Sequence, residues 1–187
     1  MKKLYKTRII IFAFYTVFLF CSSGKTEELK ISSSNPAPGG FRGISWGQNI
    51  DSINGLERPL YDPNDPDKRV KIFRMKRDPL SYGTAKLKFI RYYFLDDKFA
   101  FVELVSNGKR NSDRFLFELI KIHGIPTLSG ETENRKYAFW IIEDVEIRYL
   151  INNKITRECT VYIQFTPYAN EIDNIFNNTK IPENYNK

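Results

Sequence analysis

The chain has 187 residues, 42% of them hydrophobic, and 29 Lys plus Arg against 22 Asp plus Glu give it a formal charge of +7. That length supports one modest core with appendages. Its two cysteines exclude a disulfide framework and a cysteine-bound metal.

Four of the cations, Lys2, Lys3, Lys6 and Arg8, form a basic head with no acid nearby. Ile9 to Phe20 then make a twelve-residue apolar run, interrupted only by Thr16 and closed by Cys21-Ser22-Ser23-Gly24. A basic head before a short apolar run is the layout of an export signal. Twelve helical residues span about 18 Å, against the roughly 30 Å of a bilayer's hydrocarbon core. Residues 1–20 are therefore expected to be a signal peptide. Three fates remain open: ordinary cleavage, cleavage before Cys21 with lipid placed on that cysteine, and retention as a poor anchor. Cysteine directly after the apolar run, with Ser and Gly behind it, resembles bacterial lipoproteins and favours lipid attachment at Cys21. Phe20 departs from the small residue those proteins carry before the cysteine. Each fate sends the body beyond the inner membrane, because the basic head stays inside. From Cys21 onward the count is 25 cations against 22 anions, or +3. With the excess assigned to export, nucleic acid drops out as a partner. The expected location is the cell envelope, on the periplasmic or outer surface of a bacterial membrane.

Residues 21–40 read as a flexible tether of Ser, Gly, Asn, Pro and charge. A single domain is expected over residues 41–166, followed by a C-terminal tail, 167–187. Phe41, Ile44 and Trp46 open the domain as core contacts. Asn49 is a candidate N-cap for a short helix bearing Ile50, Ile53 and Leu56. Tyr61 to Asp67 is a double Asp/Asn-Pro turn, and it lacks the ligand spacing of a calcium loop. Three strands follow, Val70–Met75, Leu87–Leu95 and Phe99–Val105, with Asp96-Asp97-Lys98 turning the last pair. Neither face of Leu87–Leu95 is purely polar, which implies a sheet covered in part on both sides.

Asn111 to His123 is the strongest helix, capped by Ser112 or Asp113 and striped by Phe115, Leu116, Leu119, Ile120 and His123. Gly124 ends it and Pro126 prevents continuation. Three more strands are expected at Tyr137–Ile142, Val145–Ile151 and Thr156–Phe165, the last with Cys159, Val161, Ile163 and Phe165 inward. Cys159 is then a buried thiol unless it pairs with Cys21 across a very long loop. The tail has a short stripe of Ile172, Ile175 and Phe176, enough for a last helical turn or two, and its six asparagines favour fraying. The fold class is α+β, an antiparallel sheet with two helices on one side in the order β-α-β-β-β-α-β-β-β. Its two halves repeat one element order, without matching residues at a fixed period.

Phe41-Arg42-Gly43-Ile44-Ser45-Trp46-Gly47, the LKFIRYYFLDDKFAFVEL meander and His123-Gly124-Ile125-Pro126-Thr127 resemble a loose family of uncharacterised bacterial exported proteins. The resemblance covers most of residues 41–165 and brings no catalytic residues with it. The order of elements is also similar to the small lipoproteins that help assemble outer-membrane barrels and to the β-lactamase inhibitor proteins, a likeness of fold alone.

No chemistry stands out. The single histidine, His123, closes a helix, where a positive ring would favour the helix end; a hydrolase triad has no other base. No G-x-S-x-G elbow occurs, and Pro38-Gly39-Gly40 lies in the tether rather than at a phosphate-binding strand–helix junction. No catalytic, cofactor or metal residues are assigned. Paired carboxylates could serve a glycosidase, with Glu103, Glu118, Glu143, Asp144, Glu146 and Glu158 as candidates. Cross-strand pairing, Glu146 and Glu158 with Arg148 and Arg157, explains them more simply. Arg74, Lys76 and Arg77 form a basic cluster that could meet phospholipid head groups or peptidoglycan acids, though a solvated strand end explains it more simply. Tyr82, Tyr92, Tyr93, Tyr137, Phe139, Trp140 and Tyr162 exceed what one narrow face can bury. Of these, Tyr92, Tyr93, Trp140 and Tyr162 form the candidate surface for an envelope protein or a sugar chain, unless the sheet closes over them as core. The expectation is a non-enzymatic envelope lipoprotein, membrane-held through its N-terminal lipid, that binds protein or maintains the envelope. The alternative is a carboxylate-dependent enzyme acting on cell-wall glycans.

Overall fold

The computed structural model describes residues 36–61, 68–132, 135–153 and 158–178, all within one compact unit, Ile31–Lys187. The signal, Cys21, most of the tether, the Asp62–Asp67 turn, Arg157 and the last nine residues of the tail lie outside the described residues.

Alternating apolar residues build an eight-stranded antiparallel sheet. Its strands are β3 (Leu60–Tyr61), β4 (Val70–Phe73), β7 (Phe89–Leu95), β8 (Lys98–Asn107), β9 (Leu128–Glu131), β10 (Lys136–Ile142), β11 (Val145–Asn153) and β12 (Glu158–Phe165). The spatial order is β3-β4-β7-β8-β12-β11-β10-β9, so two meanders meet where β12 pairs with β8. Two small ribbons stand apart: β1 (Gly40–Phe41) with β2 (Ile44–Ser45), and β5 (Ser81–Tyr82) with β6 (Ala85–Lys86). The helices are α1 (Lys109–His123) and α2 (Thr166–Asn178).

The Asp96-Asp97 turn is as expected. Leu95 pairs with Lys98, and both aspartates take left-handed φ values, 47° and 65°. A two-residue hairpin loop whose twist suits the flanking strands requires this, and Asp tolerates it. Between Tyr93↔Phe101 and Phe94↔Phe99 the register slips, leaving Ala100 as an extra residue on β8. That bulge resets the alternation, so Phe99 and Val102 face one side while Phe101 faces the other.

The two faces are covered by different elements. On the first, Phe115 and Leu119 of α1 pack with Tyr92, Leu104, Ala138, Trp140, Ile147, Tyr149 and Val161. Trp46 closes the edge of this core, stacked on Phe99 at 4.9 Å, with its indole N–H donating to the Pro38 carbonyl at 2.6 Å. On the second face, Ile172 of α2 covers Val70, Ile72, Tyr93, Leu95, Ala100 and Phe101.

The α+β class with a large antiparallel sheet holds, but β3, β9 and the β5–β6 ribbon add to the expected order of elements, and four details change. Helix α1 and the segment bearing Ile50 and Ile53 pack on the same face, as expected, while α2 adds an unforeseen cover on the opposite face, because β4, β7 and β8 send large apolar side chains both ways. The short helix after Asn49 is one 3-10 turn, Ile50–Ser52, with the Asn49 side chain accepting from the Asp51 N–H at 2.9 Å. Thirteen residues of the supposed tail and its junction form α2. Helix α1 begins at Lys109 rather than behind Ser112, whose hydroxyl donates back to the Gly108 carbonyl at 3.1 Å. At its other end Gly124 caps the helix as expected, its N–H donating to the Ile120 carbonyl at 2.8 Å.

Candidate functional site

The four aromatic residues expected to share a binding surface do not share one. Tyr92 and Trp140 are 0% and 1% exposed on the α1 face. Their polar ends are satisfied there: the Tyr92 hydroxyl donates to Asp78 at 2.7 Å and the Trp140 indole N–H to the Gly124 carbonyl at 2.8 Å. Both are core, because strand alternation points them inward. Tyr93 and Tyr162 point the other way, and Tyr93 too is buried, beside Phe101 under α2. Only Tyr162 retains partial exposure on the second face.

Register makes that second face a lattice. One row runs Arg91, Glu103, Tyr162, Arg148, Phe139 across β7, β8, β12, β11 and β10. The next runs Tyr93, Phe101, Gln164, Glu146, Ile141, and on the other side lie Phe89, Val105, Thr160, Leu150, Tyr137. Charge sits mid-sheet. Glu103, buried, accepts from the Arg91 guanidinium and the Tyr93 hydroxyl, each at 3.1 Å. Glu146 accepts from Arg148 at 2.8 Å and from the Gln164 amide at 3.0 Å. The paired carboxylate and the lost hydration pull Arg148 in opposite directions, and the Glu146 hydrogen bond prevails, raising its pKa. Tyr162 lies among Glu103, Arg91, Arg148 and Asp173, and burial raises its phenol. Under α2 a cleft of about 320 Å³ opens between Tyr93, Tyr162, Gln164, Arg148 and Asp173.

Beyond the reach of α2, the β9–β11 end of this face is open. Tyr137 and Phe139 stack at 5.4 Å and 25°. Leu128, paired with Phe139, is 54% exposed, and Ile141 is 62% exposed. A recess of about 440 Å³ lies among Leu128, Tyr137, Phe139 and Leu150, with Arg135 beside them. Gly130 sits opposite Tyr137, and a Cβ there would collide with the tyrosine ring; the glycine lets the ring lie across β9. This apolar, aromatic, Arg-rimmed surface is the candidate site.

The other candidates are engaged structurally. Glu118 is buried against the β5–β6 ribbon, accepting from the Thr84 N–H at 3.1 Å and its hydroxyl at 2.7 Å, which hold the carboxyl below its ordinary range. Glu158 pairs with Lys88 at 3.1 Å. Glu146 pairs with Arg148 of its own strand rather than across the hairpin. Glu143 and Asp144 are exposed in the β10–β11 turn. His123 is 6% exposed, shares a 3.1 Å hydrogen bond with the Tyr82 hydroxyl, and is held neutral by burial rather than acting as a cationic helix cap. Arg74, Lys88 and Arg91 all approach the Phe89 ring, Arg91 at 4.3 Å; Lys76 and Arg77 are exposed. Cys159 is a free, fully buried thiol, pushed up to about 12 by burial. Among the described residues no group of His, Cys, Asp and Glu is arranged to hold a metal ion, and no helix is long and apolar enough to cross a membrane.

No protein-family model matches the chain, and neither the curated proteins nor the solved structures contain a significant match.

Proposed function

We propose that this chain is an exported, lipid-anchored, non-enzymatic module of the bacterial cell envelope that binds another envelope protein through the open β9–β11 half of its second sheet face. The observation that carries the reading is the exposure of Leu128 and Ile141 beside the stacked Tyr137–Phe139 pair. Large apolar side chains held rigidly on a sheet lose little entropy on docking, and an arginine-bearing rim is the usual surround of such a contact. The leader and Cys21 supply the export and anchoring part of the reading. The carboxylate-enzyme reading has less behind it. Glu103 and Glu146 lie two strands and one row apart, about 12 Å between their backbones, and each pairs with its own arginine.

Site-specific photo-crosslinking in intact cells tests the proposal. A photoreactive residue at Phe139 is expected to give a discrete protein adduct, lost on Ile141→Glu, while one at Lys98 gives none. An intact-mass measurement of the same preparation is expected to show a chain beginning at an acylated Cys21. Lipid or glycan adducts alone would count against the protein-binding reading, and an unmodified Cys21 inside an intact leader against the anchor.

A further inference from the structure

The outer side of α1 carries a second uncovered surface. At 3.6 residues per turn, Phe117 lies opposite the stripe of Ser112, Phe115, Leu119 and His123 that faces the sheet. Phe117 is 63% exposed. Arg110, Arg114 and Lys121 follow it within about 60° on one flank, and Ile120, 39% exposed, lies on the other. Past the helix end, Ile125 is 82% exposed. Lys109, Arg110, Asp113, Arg114 and Phe117 share the open surface of the helix's first turns. None of Arg110, Arg114 and Lys121 has an ion-pair partner among the described residues. Of the helix's two acids, Asp113 lies on this face, half-exposed and 3.8 Å from Lys136. Glu118 is buried on Thr84, near enough to Lys121 for the ammonium to favour its ionised form, so the face keeps a net positive charge.

We infer that this outer face of α1 docks on the surface of an anionic phospholipid bilayer, with Phe117, Ile120 and Ile125 entering the headgroup–acyl boundary and Lys109, Arg110, Arg114 and Lys121 meeting the phosphates. An aromatic–aliphatic ridge flanked by cations is the pattern of an interfacial helix. Charge selects the occupant. A second copy docking through the same face would bring its own arginines against these, whereas an anionic leaflet supplies the missing negative charge over the whole area. The inference does not depend on the protein-binding reading, since it concerns the opposite face of the sheet.

Quenching by lipid reads the contact directly. The full chain carrying Cys21→Ser is labelled with a fluorophore at Phe117→Cys, or in a second preparation at Ile141→Cys. Cys159, fully buried, does not compete for label. Each is mixed with vesicles of phosphatidylglycerol and phosphatidylcholine brominated along the acyl chains. Attachment through the leader is common to both, so only a difference between labels reports on α1. The expected result is quenching at position 117 but not at 141, lost in pure phosphatidylcholine and at high salt. Arg110→Gln with Arg114→Gln is expected to weaken it about thirtyfold, two cations' share of the surface attraction. Exposed Phe117 makes the labelled variant's urea midpoint a fair check of folding. Equal quenching at both positions, or no effect of the arginine pair, overturns the inference. Self-association in lipid-free buffer that Phe117→Glu abolishes assigns the face to a second copy and also overturns it.

Discussion

At the scale of single residues, one set of polar groups clamps α1 to the β5–β6 ribbon. Gly83, at φ 55°, turns the β5–β6 ribbon, and a side chain there would strike the Glu118 carboxyl. From that ribbon Thr84 binds Glu118, Tyr82 meets His123, and the Lys86 N–H donates to the Asn111 side chain at 2.8 Å. His123 gives the clamp a pH dependence. Burial lowers its pKa from 6.5, so the unfolded chain takes up a proton more readily than the folded one. Its contribution to stability is therefore complete above pH 6.5 and is lost as pH falls from there through the lower folded value. Glu118, depressed from 4.5, adds a loss of the same sign only at lower pH. Urea midpoints are expected to fall from pH 7 to pH 5, and His123→Gln, which keeps a polar partner for Tyr82 without titrating, is expected to flatten that slope. An unchanged slope in the variant would assign it elsewhere.

At the scale of elements, α2 shows what the sequence hides. Ala169 and Ile172 are buried and Ile175 partly so, a stripe at intervals of three. Its asparagine-rich surroundings predict no more than a frayed helical turn or two after Pro167. Pro167 stands in the helix's first turn, where its missing N–H costs nothing, and burial against Val70, Ile72 and Tyr93 outweighs poor propensity. Ile172→Ala is expected to cost about 2–5 kcal/mol in urea unfolding, because it empties the centre of that contact. Phe117→Ser, on an exposed helix surface, is expected to stay within about 0.5 kcal/mol. Strands β4, β7, β8, β10, β11 and β12 were legible because their alternation is strong, whereas β3, β9 and the β5–β6 ribbon are too short to show one. That same alternation could have corrected the site. Tyr92 and Tyr93, or Phe139 and Trp140, are neighbours on a strand and must face opposite ways. Tyr137, Phe139 and Ile141 share a face by parity alone. Which of two aromatic faces a helix then covers depends on where the chain returns, and no local pattern records it.

At the scale of the whole molecule, a core this rich in buried hydroxyl and thiol groups sets an alkaline limit. Tyr82 is pushed up to about 12 by burial and by Glu118. Cys159, in the strand that joins the two meanders, rises from an ordinary 9.0 to about 12. Desolvation raises Tyr92, Tyr93 and Tyr149 as well. A raised acid keeps its proton in the folded chain after the unfolded chain has released it, so stability declines as pH rises between the two values. The thiol alone is worth about 4 kcal/mol when that decline is complete, and a typical domain holds only about 5–15 kcal/mol in all. The groups reside in β5, β7, β11 and β12, on both meanders, so their ionisation opposes the fold as a unit rather than one edge of it. Stability measured by urea is expected to be level up to about pH 9 and to fall steeply above it, with a single cooperative loss of near-ultraviolet circular dichroism before pH 12. Cys159→Ala is expected to lower stability at pH 7, through the cavity it leaves, yet to make the decline above pH 9 shallower. Parallel decline in both proteins would mean that the thiol is not part of the limit.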